Sequence, residues 1–143
     1  MAADRQAARR GVLEAESVAK LSPDMSARLD DLASARLVLG EILGEKDETR
    51  DEGITSLRLA VSEAGKAGQS VPSIPWYRWT LSRSWAAIAR TLKSQGKIAE
   101  ARTSYDEAMR AAGFVTSAIP GIAYLDTNMT DLKKERQELG EGP

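Results

Sequence analysis

Six carboxylates, Glu41, Glu45, Asp47, Glu48, Asp51 and Glu52, crowd one short stretch that holds two cations, Lys46 and Arg50. Paired carboxylates can do acid-base work or hold a hard cation. Here they lack the glycine-turned spacing of a calcium loop, so the stretch reads as a solvated turn. The opposite bias follows in Arg78, Arg83, Arg90, Lys93, Lys97 and Arg102, with Glu100 the one acid among them. Such cations either hold a carboxylate or an acidic peptide, or form a solvated helix face. Arg83 and Arg90 stand seven apart and share a helix face, with Lys93 nearby. Just before them come Trp76, Tyr77 and Trp79, which either close the gap between neighbouring helical pairs or anchor a bound peptide. Ser94-Gln95-Gly96-Lys97 lacks the first glycine and the final Ser or Thr of a phosphate loop. Gly40-x-x-x-Gly44 has meaning only inside an apolar membrane helix, which this stretch is not.

The chain has no Cys and no His, which removes disulfides, thiol nucleophiles, His-dependent triads and the usual zinc sites. No catalytic set, metal or cofactor is expected. A formal net charge of −1 gives no global attraction to nucleic acid or to an anionic membrane. The longest apolar run, Trp85 to Ala89, is far short of the roughly 20 residues of a membrane span. The N-terminal residues lack the apolar core of a secretory signal, so a cytoplasmic location is expected.

The elements that must position these residues are helices. Aromatics make up only 5% of the chain, and Ala, Leu, Glu, Lys and Arg abound, which favours an all-α fold over a sheet. Residues 4–20 set Ala8, Val12, Ala15 and Ala19 on one face, and Ser22-Pro23 stops the helix. Asp24 or Ser26 caps a second helix with Leu29, Leu32, Leu39 and Leu43 inward and Gly44 at its end. Arg36 falls on that stripe, so its stem is expected to pack while its head reaches outward. Thr49 and Glu52 are spaced as a capping box for a third helix that ends near Gly65. A connector from Lys66 to Pro75 leads to a fourth helix with Leu81, Trp85, Ile88, Ala89 and Leu92 inward. A fifth carries Ile98, Ala101, Tyr105, Ala108 and Ala112 and ends at Gly113; a sixth, over 122–139, is charged as an end cap would be.

The chain also repeats itself. A shift of 49 residues puts Val12 on Val61, Pro23 on Pro72, Leu32 on Leu81, Leu39 on Ile88, Gly40 on Ala89 and Leu43 on Leu92. Past the acidic turn the shift is 48, putting Gly53 on Ala101, Leu57 on Tyr105, Ala60 on Ala108 and Pro72 on Pro120. The match of Gly53 with Ala101 implies a small residue where two helices of a hairpin approach closely. The first helix then corresponds to the second half of an earlier unit, and the sixth to the first half of a later one.

Trp85-x-x-Ile88-Ala89-x-x-Leu92 followed by Ala101-x-x-x-Tyr105-x-x-Ala108 resembles the tetratricopeptide repeat. Leu39-Gly40-x-x-Leu43, Gly53, Leu57 and Ala60 repeat that pattern more weakly, with Arg36 in place of the tryptophan. The period departs from the family's 34 residues. Longer repeats of this kind are similar to arrays attached to some bacterial signalling proteins, including Ser/Thr kinases. The resemblance implies one domain over 1–143, a short right-handed solenoid of antiparallel helical hairpins with six helices. Its hairpins would cover 24–67 and 76–113, between flanking helices 4–20 and 122–139.

The resemblance also implies a scaffold without catalysis, whose concave groove is lined by the first helix of each hairpin. It would bind a protein or peptide, an acidic one if the cations take part, through Arg83, Arg90, Lys93, Trp76 and Trp79. Ala86 and Arg90 do not reproduce the family's carboxylate clamp. The alternative is a regulatory or ligand-sensing domain of a larger signalling protein, with a pocket beside Trp76 and Trp79. Nucleic acid and membrane are not expected partners. Opposite charge on neighbouring units leaves head-to-tail self-association open.

Overall fold

A computed structural model describes residues 2–21 and 24–140, and among them the chain is all-α. Six helices follow one another there: α1 (Ala2–Leu21), α2 (Met25–Gly44), α3 (Arg50–Ser70), α4 (Pro75–Ser94), α5 (Ile98–Ala118) and α6 (Ala123–Glu138). The expected stop at Ser22-Pro23 lies outside the described residues. α2 with α3 and α4 with α5 form antiparallel hairpins, α3 and α4 join them, and α1 and α6 pack on the outer sides.

Local chemistry accounts for most of the boundaries. The Asp24 carboxylate accepts from the Ala27 N–H at 3.2 Å and caps α2. Pro75 opens α4, where its missing N–H costs nothing. α4 closes on Gly96, whose φ of 77° is open to glycine without strain. The Gly96 N–H donates to the Lys93 carbonyl and the Lys97 N–H to the Leu92 carbonyl, which satisfies two of the orphaned end groups. The capping box does not form. The Thr49 hydroxyl donates to the Leu43 carbonyl at 2.6 Å instead, and Glu52 turns away to pair with Arg9 of α1.

Two helices outrun their expected ends. α3 passes through Gly65 to Ser70 and α5 through Gly113 to Ala118, so the hairpins extend beyond 67 and 113. Ala67, Gly68 and Val115 are buried in these last turns, and such packing outweighs the roughly 1 kcal/mol that an internal glycine costs. Both helices then leave by the same path. Val71 and Ile119, 48 residues apart, share φ of −132° with ψ of 76° and 75°, and each precedes a proline. Trp76, Tyr77 and Trp79 accordingly lie inside the first turns of α4 rather than before it.

The core runs as three clusters in file, as stacked hairpins require. Val12, Leu32 and Leu39 join α1 to α2; Leu37, Leu57, Ala60, Ile88 and Leu92 fill the centre; Ala89, Tyr105, Ala108 and Leu132 bind α5 to α6. Trp85 packs against the last two clusters. Arg36 does not reach outward. Its Nε donates to both carboxylate oxygens of Glu63, at 2.8 and 3.0 Å, because α3 sets that acid directly across the hairpin seam. Among the described residues no helix is long and apolar enough to cross a membrane.

Candidate partner-binding face

α4 is packed between α2, α3 and α5. Thr80, Ser84, Ala87 and Thr91 are buried on one flank, and Ser82, Ala86 and Ala89 on the other. What stays open is a strip at seven-residue spacing, Trp76, Arg83 and Arg90, with Ser94 at its end. The repeat extends this strip sideways. Shifting by 49 or 48 aligns it with Ala27, Ser34 and Glu41 on α2 and with Tyr124, Asp131 and Glu138 on α6. A basic and aromatic strip thus runs between two strips whose charged members are acids.

Three of the five residues expected to bind a partner are differently placed from one another. Trp76 is 40% exposed at the head of the strip. Trp79 is half-buried and meets the Tyr124 ring edge to face, with centroids 6.1 Å apart and planes at 73°. Arg83 is exposed and has no ion-pair partner among the described residues.

Arg90 is held within the molecule. Its Nε and one terminal nitrogen donate to the two Glu135 oxygens at 2.8 and 2.9 Å. The buried Tyr105 hydroxyl donates to the same carboxylate at 3.0 Å. The Arg90 hydrogen bond holds the Glu135 carboxyl below its ordinary range, and Glu135 in turn raises the Arg90 pKa. Burial, reinforced by the Glu135 charge, pushes the Tyr105 phenol up. Lys93 is exposed one turn on, and its charge helps to lower Glu135. Arg78, in the same basic run, sits 4.2 Å over the Phe114 ring centroid and packs along Gly68. The run therefore divides into cations used for packing and cations left to solvent.

The acidic turn also divides. Asp47 pairs with Arg50, Glu52 with Arg9, and Asp51 accepts from Gln95 at 2.9 Å. Among the described residues no three His, Cys, Asp or Glu converge as a metal site. Tyr124 was legible in the repeat, 48 residues after Trp76; Glu135 was not, since its counterpart is Ala87. Compared with family models, with curated proteins and with solved structures, the chain gives no match.

Proposed function

We propose that this chain is a non-catalytic interaction scaffold of tetratricopeptide-like hairpins, which grips a peptide or partner domain along the α4 strip from Trp76 to Lys93. The observation that carries the reading is the composition of that strip. α4 is enclosed on its other sides, and its open side offers an accessible Trp and an Arg without an ion-pair partner among the described residues. Trp and Arg are the residue types that most often dominate binding energy at interfaces. Arg83 would take a partner carboxylate and Trp76, about two helical turns away, an apolar side chain. The acids at Glu41, Asp131 and Glu138 would repel a uniformly acidic peptide, so the partner carries basic residues on either side of that carboxylate.

The test is a selection of displayed peptides on the intact protein, followed by titration against Trp76→Ala and Arg83→Glu. Selected peptides should lose about tenfold or more in affinity to each variant. Peptides that bind both variants as tightly as the parent protein would remove the strip from consideration. Arg90 is unsuited to this test, because its reversal would also disturb Glu135 and Tyr105.

A further inference from the structure

A groove of 470 Å³ opens between α1 and α2, on the side away from α3. Its lining has counterparts in the next two units, and there the same positions lie covered. Ala8, Gly11, Ala35 and Val38 line the groove. A shift of 49 turns them into Leu57, Ala60, Ser84 and Ala87, all buried beneath α2. A further 48 turns the first three into Tyr105, Ala108 and Leu132, all buried beneath α4. Val38 is 48% exposed where Ala87 is 5% exposed. Among the described residues no helix lies over the first groove.

The two filled grooves also say what kind of occupant fits. In each, the cover is an α-helix antiparallel to the first helix of the pair, and it presents small residues. Gly40 of α2 meets Leu57 and Gly53; Ala86 and Ala89 of α4 meet Tyr105 and Ala108. α6 does not offer such a face. Its positions equivalent to Ala33, Leu37 and Gly40 are Thr130, Lys134 and Gln137, all exposed and polar. α1 does offer one, since Ala7, Ala8 and Gly11 line the groove, with Asp4 the one charged residue that α1 adds there. A Cβ on Gly11 would meet nothing within 4 Å.

We propose that α1 of a second copy fills this groove, so that two chains pair through α1 and α2 about a two-fold axis. With the axis perpendicular to α1 the two α1 helices run antiparallel, the direction that the filled grooves require, and each groove receives the other chain's helix. Small residues at Ala7 and Gly11 let the two backbones approach. With the helices crossing at Gly11, Arg10 of each chain and Glu14 of the other lie about 3 Å apart along the axis. The two ion pairs so formed flank the small-residue contact. Such an interface closes on itself, whereas pairing of α6 with α1 head to tail would grow without limit.

Sedimentation equilibrium tests the proposal on the whole chain. The expected mass is twice the 15.5 kDa of one chain. Gly11→Glu and Val38→Glu should each weaken the dimer about a hundredfold, by placing a charge against the apolar partner helix, with the helical circular dichroism unchanged. Both sites face open space, so neither substitution strains the single chain. Lys134→Glu on α6 should leave the dimer intact. The chain has no cysteine, so Gly11→Cys supplies a single thiol, which should oxidise to a disulfide-linked dimer. A chain that stays monomeric at all concentrations, or a dimer indifferent to Gly11→Glu and Val38→Glu, overturns the proposal. Open-ended growth abolished by Lys134→Glu overturns it in favour of head-to-tail pairing.

Discussion

Gly40 of α2 and Gly53 of α3 face each other across the first hairpin, so close that a Cβ on Gly53 would lie 2.9 Å from the Gly40 carbonyl oxygen. A Cβ on Gly40 would lie 2.4 Å from Cγ of Leu57, itself fully buried. In the next hairpin the equivalent pair is Ala89 and Ala101, each larger by one methyl group.

Gly53→Ala should therefore destabilise by about 1 to 3 kcal/mol, although alanine is the better helix former. The obstacle is backbone, which cannot move aside as a flexible side chain would. Gly65→Ala, in the same helix with nothing near its Cβ, should instead stabilise by up to about 1 kcal/mol. Urea midpoints of the two variants should move in opposite directions; a shared direction would mean that propensity, not close approach, governs Gly53.

That contact was legible in the sequence because a small residue recurs at a fixed interval. The helices, their order and their inward faces were legible for the same reason, since a repeat repeats its packing. The far ends of α3 and α5 were not. Gly65 and Gly113 carry the signal of a helix end, while the burial that overrides it depends on what the next helix places there. The basic strip was visible as a pattern of charge, but a charge pattern does not reveal which cations already have partners. Arg83 and Arg90 look alike in the sequence, and only Glu135, brought across from α6, separates them.

Arg36 and Glu63 occupy positions that the second hairpin gives to Trp85 and Ala111. Their side chains are 17% and 12% exposed, and burial raises the Glu63 carboxyl despite the guanidinium beside it. Arg36→Met should cost about 3 kcal/mol at neutral pH by leaving a carboxylate in the seam. A carboxyl whose folded pKa is raised favours the folded state once protonated, so this loss should shrink as the pH falls through the folded value. Arg36→Trp with Glu63→Ala should recover most of the loss, because the second hairpin packs that pair. Denaturant midpoints between neutral and acid pH decide; a double variant no better than Arg36→Met would mean that the two hairpins do not share a seam geometry.

Glu135 has the opposite sign. The Arg90 hydrogen bond lowers its folded carboxyl, so its contribution is complete above the unfolded value of about 4.3 and is lost as the pH falls through the folded one. Arg90 is half exposed, and solvent screening keeps the contribution near ~1 kcal/mol. Glu135→Gln should lower the thermal midpoint at neutral pH and give a flatter acid limb than the parent protein. Parallel limbs would show that Glu135 is not held by Arg90 in solution.

Separating binding from stability on α4 follows from the same contrast. Arg83 has solvent around it and no ion-pair partner among the described residues, so Arg83→Glu should change stability by no more than about 0.5 kcal/mol. Arg90→Glu sets a carboxylate against Glu135 and the Tyr105 hydroxyl, and should cost about 2 kcal/mol. Calorimetric midpoints of the two charge reversals, measured side by side, should therefore diverge by several degrees. If Arg83→Glu melts as early as Arg90→Glu, then Arg83 has a structural partner, and loss of peptide binding in that variant would reflect unfolding rather than recognition.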